Sequence, residues 1–112
     1  LRIHHIFLYS DTASVVEVHK PVNTTPAGTL IAGNNILTSS GNPAASYGTA
    51  YQDETTNSKT DVHLTEYVKA NDPLTIFKEE GFEMILGTNG VMGVDMTTAG
   101  TSTFGHIVGY LV

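Results

Sequence analysis

Apolar positions along this chain recur at every second residue, in short runs fenced by glycine, proline, asparagine and aspartate. Such runs predict β-strands, because alternate side chains of a strand point to opposite faces. No segment sustains apolar residues at i, i+3, i+4 and i+7 over three turns, so no amphipathic helix is predicted. LRIHHIFLY (1–9) is the first strand, with Leu1, Ile3, His5, Phe7 and Tyr9 expected on one face and Ile6 and Leu8 on the other. SDTA is a turn, and SVVEVHK (14–20) is a second strand ended by Pro21. PVNTTPAG is a loop by composition, with Gly28 a site for positive φ. GTLIAG and NILTS (28–39) form a third strand, with a bulge or a hairpin equally readable at Gly33-Asn34-Asn35.

Residues 40–60, SGNPAASYGTAYQDETTNSKT, are the least periodic stretch. A structureless loop of about 20 residues is unusual in a compact domain. The stretch is a functional arm or hides a short helix near Ala44–Tyr51, and it reads best as a surface excursion carrying Tyr47 and Tyr51. DVHLTEYV (61–68) alternates, with Val62, Leu64, Glu66 and Val68 on one face and His63, Thr65 and Tyr67 on the other. KANDP is a turn, and PLTIFKEE (73–80) and FEMIL (82–86) are further strands.

ILGTNGVMGVDM (85–96) places Gly87, Gly90 and Gly93 within seven residues. A phosphate cradle would need a helix starting after the glycines. The following VDMTTAGTSTFG is rich in β-branched residues and glycine instead, and no Lys-Ser or Lys-Thr pair follows the glycines. Asn89-Gly90 between two apolar runs signals a type I′ hairpin, whose central residues both need positive φ. TFGHIVGYLV (103–112) is the last strand. Phe104, His106, Val108, Tyr110 and Val112 share one face, and Gly105 and Gly109 flank Ile107 on the other, leaving room for a neighbouring backbone or ring.

About eight strands joined by short turns, with no crossover helix, predict an all-β fold, an antiparallel jelly-roll-like β-sandwich. The expected core is Phe7, Val16, Val18, Leu64, Ile76, Met84, Leu86, Val94, Ile107 and Val108. The 112 residues make a single domain, 1–112, with the arm at about 40–60 on its surface. A domain of this size buries roughly two-thirds of the surface its unfolded chain exposes. With no cysteine there is no disulfide or thiolate metal site, and association with copies of itself is the expected source of added stability.

Charge narrows the function. The net charge is −6, and the five basic residues, Arg2, Lys20, Lys59, Lys69 and Lys78, are scattered. Nucleic acid binding needs clustered cations, so no nucleic acid partner is expected, and an anionic membrane surface is disfavoured likewise. No apolar run approaches the ~20 residues needed to span a bilayer, and no signal-peptide layout is visible. Because residue 1 is leucine, the chain reads as a fragment or processed product, with room for a strand upstream. Charged residues are only 14%, so the polar surface is built from Thr, Ser and Asn and tolerates burial at an interface.

Catalytic chemistry finds little footing. Asp53-Glu54 and Glu79-Glu80 are the carboxylate doublets, and both read as solvated loop charges rather than a glycosidase pair. No G-x-S-x-G elbow and no cysteine nucleophile exist, so no catalytic residue is assigned. His4 and His5, as adjacent strand residues, should face opposite ways and could not share one ion. His63 and His106 lie on other strands and could converge with either, but no ligand at i+2 completes a set. Neither a metal nor a cofactor is expected. The one escape is an ion on a threefold axis of an oligomer, needing one ligand per chain. Asn42, Tyr47, Tyr51, Gln52 and Asp53 make either a sugar-binding shelf or, as the favoured reading, an anchor to the sandwich or a neighbouring subunit.

The C-terminal PLTIFKEEGFEMILGTNGVMGVDMTTAGTSTFGHIVGYLV (73–112) and the N-terminal LRIHHIFLYSDTASVVEV (1–18) together resemble small β-sandwich virion proteins of tailed bacteriophages, which decorate capsids or sit on tails. The resemblance rests on strand cadence over about half of the chain. It implies a non-enzymatic virion structural protein, first a capsid decoration or cement protein that bridges capsomers. The partners implied are copies of itself, a trimer being favoured, and the major capsid protein or another virion protein. The alternative is a receptor- or carbohydrate-binding head of a tail fibre or spike, using Tyr47 and Tyr51.

Overall fold

In a computed structural model, residues 1–22, 25, 27–33, 48–52, 58–77, 84–88, 90–98 and 100–110 are described. They hold β1 (Arg2–Ser10), β2 (Ser14–Pro21), β3 (Thr29–Ile31), β4 (Ala50–Gln52), β5 (Lys59–Val68), β6 (Leu74–Ile76), β7 (Met84–Ile85), β8 (Gly93–Met96) and β9 (Thr103–Tyr110). Among the described residues there is no helix, and every strand pairing is antiparallel. The all-β expectation holds. The radius of gyration, 14.1 Å, is near the ~13 Å of a compact chain this long.

Three sheets form. In the first, β9 runs along the whole of β1, while β7 pairs with Arg2–Ile3 and β6 with Ile6–Leu8. The second has the order β5-β2-β8, and β3 and β4 make a separate two-stranded ribbon. Ile3 and Ile6 of β1, Val16 and Val18 of β2, Val68 of β5 and Ile76 of β6 are buried in one cluster, so the two larger sheets share a core. Leu64, Met84, Leu86 and Val94 pack against it half-buried.

Apart from β3 and β4, consecutive strands among the described residues do not pair with each other. β1 and β2 lie in different sheets, so the SDTA turn carries the chain across the core. Polar groups there are satisfied locally: Ser10 and Ser14 are buried, the Ser10 Oγ accepts from Thr12 N–H at 3.1 Å, and Ser14 Oγ accepts from Thr98 N–H at 3.0 Å. Asp11 clamps the arch to the chain before β9, donating its N–H to Ser102 O and accepting from Ser102 N–H, both at 3.1 Å.

The expected hairpin at Asn89-Gly90 is corrected in the same way. Gly90 N–H donates to Gly87 O at 2.9 Å, which closes a turn there. Yet β7 pairs with β1 and β8 with β2, so this turn leads from one sheet to the other. Asn89 itself lies outside the described residues. The chain after Gly93 is strand, as the sequence predicts.

The inward faces follow a pattern that strict alternation misses. Between Ile3↔Gly109 and His5↔Val108 the register slips by one residue, so His4 is an extra residue in β1. A bulge of this kind breaks the two-residue period. Ile3 and Ile6, three apart, therefore both face the core, and Phe7 turns outward. This overturns the expectation that Ile3 and Phe7 share a face and that Phe7 is core. β5 carries two more extra residues, His63 and Thr60, opposite the Val18/His19 and Lys20/Pro21 steps of β2. Hence Val68 is buried while Val62, expected on the same face, is exposed. Thr60 Oγ donates to Lys20 O at 2.9 Å, satisfying a carbonyl beside the slip.

Candidate functional site

β9 is the most unusual surface of the molecule. Among the described residues it pairs only with β1, which leaves its outer edge without a strand. Phe104 on one face is 58% exposed and Ile107 on the other is 47% exposed. Ile107 was expected in the core, but the second sheet does not cover it. Val108 was expected there too, and it is only half-buried as the register partner of His5. The glycines of β9 admit the backbone of β1: a Cβ at Gly105 would strike the Phe7 carbonyl, and one at Gly109 would lie 2.8 Å from Arg2 O. The close neighbour expected beside them is thus the paired strand itself.

The outer face of β1 and β9 is a row of rings. Tyr9 stacks on its register partner Phe104 with centroids 4.8 Å apart, and Phe7 stacks on its partner His106 at 5.0 Å and an interplanar angle of 10°. His5 meets His106 edge-on at 5.5 Å, with their Nε2 atoms 3.4 Å apart. His4 continues the row, its ring 5.4 Å from that of His5. The bulge at His4 explains this: the two adjacent histidines are not sent to opposite faces, which corrects the expectation from alternation. Tyr9 Oη donates to Asn71 Oδ1 at 2.9 Å, and Asn71, at φ 59°, donates its N–H to Ser10 O, tying the turn after β5 to the end of the row. Asparagine tolerates this left-handed conformation better than most residues.

The ribbon offers a second apolar surface. Leu30 and Ile31 of β3 and Tyr51 of β4 are exposed, with Leu30 and Tyr51 direct register partners. Tyr51 and Gln52 thus stand on a strand inside the span expected to lack structure. Asn42, Tyr47 and Asp53 lie outside the described residues, so no shelf of the five is seen.

A shallow cleft of about 480 Å³ lies between residues of the two sheets, lined by His19, Lys20, His63, Met84, Gly87 and Val91 among others. His19 is buried, and its Nδ1 has no hydrogen-bond partner among the described residues. Its ring lies over Gly93, its register partner, where a Cβ would come within 2.5 Å of Cε1 and Nε2. That contact, and not anion capture, accounts for the glycine at 93. No pattern along the chain points to His19, because its burial beside Val18 depends on the slip at His63.

Charge is sparse. Lys59 Nζ bridges Glu17 at 2.7 Å and Asp95 at 2.9 Å on the outer face of the second sheet. Hydrogen bonds to Glu17 and then Asp95 raise the Lys59 pKa above 10.5. Among the described residues no three His, Cys, Asp or Glu side chains are grouped to hold a metal ion, and no helix is long and apolar enough to cross a membrane. No family profile matches the chain, and comparison with curated proteins and with solved structures found no match either.

Proposed function

We propose that this chain is a non-enzymatic virion structural protein, most simply a capsid decoration or cement protein that works as a homo-oligomer, with a trimer the favoured form. The finer fold belongs to this reading: the two sheets over one core are taken as a jelly-roll-like sandwich. The observation that carries the association is β9, an eight-residue strand with apolar side chains exposed on both faces. A strand with an open edge and two open apolar faces is a hazard for a monomer, and a symmetric assembly covers it. The low charge removes much of the desolvation cost of docking such a surface, and many modest contacts multiplied by valency would hold it on a capsid lattice. The virion setting rests on the resemblance of strand cadence.

Sedimentation of the purified chain tests the association, with Phe104→Ser and Ile107→Ser as variants. The expected result is an oligomer that both substitutions shift toward monomer. A wild-type chain that stays monomeric at high micromolar concentration overturns it. Saturable binding to empty phage heads supports the cement role. Specific retention on a glycan array, abolished by Tyr51→Ala, would instead favour the receptor-binding head, for which the exposed Tyr51 and Gln52 are the supporting observation.

A further inference from the structure

We infer that His5 and His106 form a two-imidazole site for a divalent transition-metal ion of the zinc, nickel or copper class. The first argument is geometric. Imidazole nitrogens sit about 2.0–2.1 Å from a tetrahedral zinc, which places two of them about 3.3–3.4 Å apart. The His5 and His106 Nε2 atoms are 3.4 Å apart before any ion is considered. An ion can therefore join them with little movement of either ring.

The second argument is how the rings are held. His5 pairs in register with Val108 and His106 with Phe7, so the two histidines are diagonal neighbours across antiparallel strands. Side chains in that relation reach one another on the same sheet face. Phe7 lies flat against His106 at 10°, which fixes the plane of that imidazole. The bulge at His4 brings a third ring against His5, edge-on at 5.4 Å. Rings restrained in this way lose little rotamer freedom on binding, which lowers the entropic cost of the site.

The third argument is chemical. Imidazole nitrogen suits zinc, nickel and copper, whereas magnesium and calcium prefer oxygen. Both histidines are accessible enough for water to complete the coordination shell, His5 being half-buried and His106 exposed. No three-ligand set exists among the described residues, so His4 supports the row and is not assigned as a ligand. The site is distinct from the cleft, whose His19 and His63 lie on the second sheet. An ion there would clip β9 to β1 across the strand pair that carries the open edge.

Calorimetric titration of the full chain with Zn²⁺ and Ni²⁺, with Mg²⁺ as the oxygen-preferring control, tests this. Expected is saturable one-to-one binding of zinc and nickel and none of magnesium. His5→Ala and His106→Ala should each weaken binding by at least about tenfold, the lower end of what even outer-shell losses bring at metal sites. His4→Ala and His63→Ala should change it far less. Circular dichroism checks that the variants fold. Should they not, paramagnetic Cu²⁺ added to the wild-type chain decides: the ring resonances of His5 and His106 should broaden before those of His19 and His63. Broadening centred on the cleft histidines, affinity unchanged in the His5→Ala/His106→Ala variant, or the absence of saturable zinc and nickel binding overturns the site.

Discussion

β2 and β9 are both eight residues long and both alternate apolar with smaller or polar residues, yet they meet opposite fates. β2 lies between β5 and β8, and Val16 and Val18 are fully buried. β9 lies at an edge, and both Phe104 and Ile107 remain exposed. The strands differ in what lies beside and above them, not in their pattern. Alternation gives a strand two faces, but burial requires a second sheet over one of them and a strand on each side. A strand that is long, apolar and still uncovered is what the proposed association rests on.

The largest effect that would sharpen this contrast comes from matched truncations. Val18→Ala should cost about 2–3 kcal/mol in urea unfolding, since it opens a cavity in the shared core. Ile107→Ala should stay within about 0.5 kcal/mol for the unassociated chain, as surface changes do. Equal losses would mean that β9 is covered within the monomer, and the contrast would fail.

Next comes Gly93→Ala, which probes how β8 packs beside β2. The new methyl group would press on the His19 ring, and overpacking of this kind costs about 1–3 kcal/mol. A displaced ring should show as a shifted imidazole resonance of His19. A neutral substitution with an unmoved resonance would show that the ring does not lie over residue 93.

The smallest effect concerns the outer face above β2. Glu17 and Asp95 are direct register partners with like charge, and Lys59 lies between them. Lys59→Met should lower the urea midpoint modestly, and the loss should shrink at high salt, where exposed charges are screened. The pH dependence has a definite sign. A folded pKa raised above 10.5 means the contribution of Lys59 is complete below that pH and is lost as pH rises through the folded value. Wild type and variant should therefore converge in strongly alkaline solution. A gap that widens there would point away from the bridge.

Much of the fold was legible in the sequence. The spans 1–9, 14–20, 61–68 and 103–112 match β1, β2, β5 and β9 to within one or two residues where the structure describes them. Val16, Val18 and Ile76 were read as core and are buried. Several of the errors trace to slips in register. The extra residues at His4, Thr60 and His63 each shift the inward phase, and a bulge leaves no mark on composition. The slip at His4 is why Ile3 and Ile6 share the core face, and the His4–His5–His106 row was missed with it. The turn at 87–90 shows a second limit. A tight turn can be read from its glycines, but which strands it separates depends on partners far away in sequence.

By itself, then, the sequence determined that this protein is built of strands, that it carries little charge and that it lacks cysteine chemistry. Those are local properties, set by residue type and a two-residue period. Tertiary structure decided which strands became interior, which histidines met and which apolar residues were left uncovered. Strand pairing is non-local, and a slip of one residue in register reverses the face of every side chain beyond it.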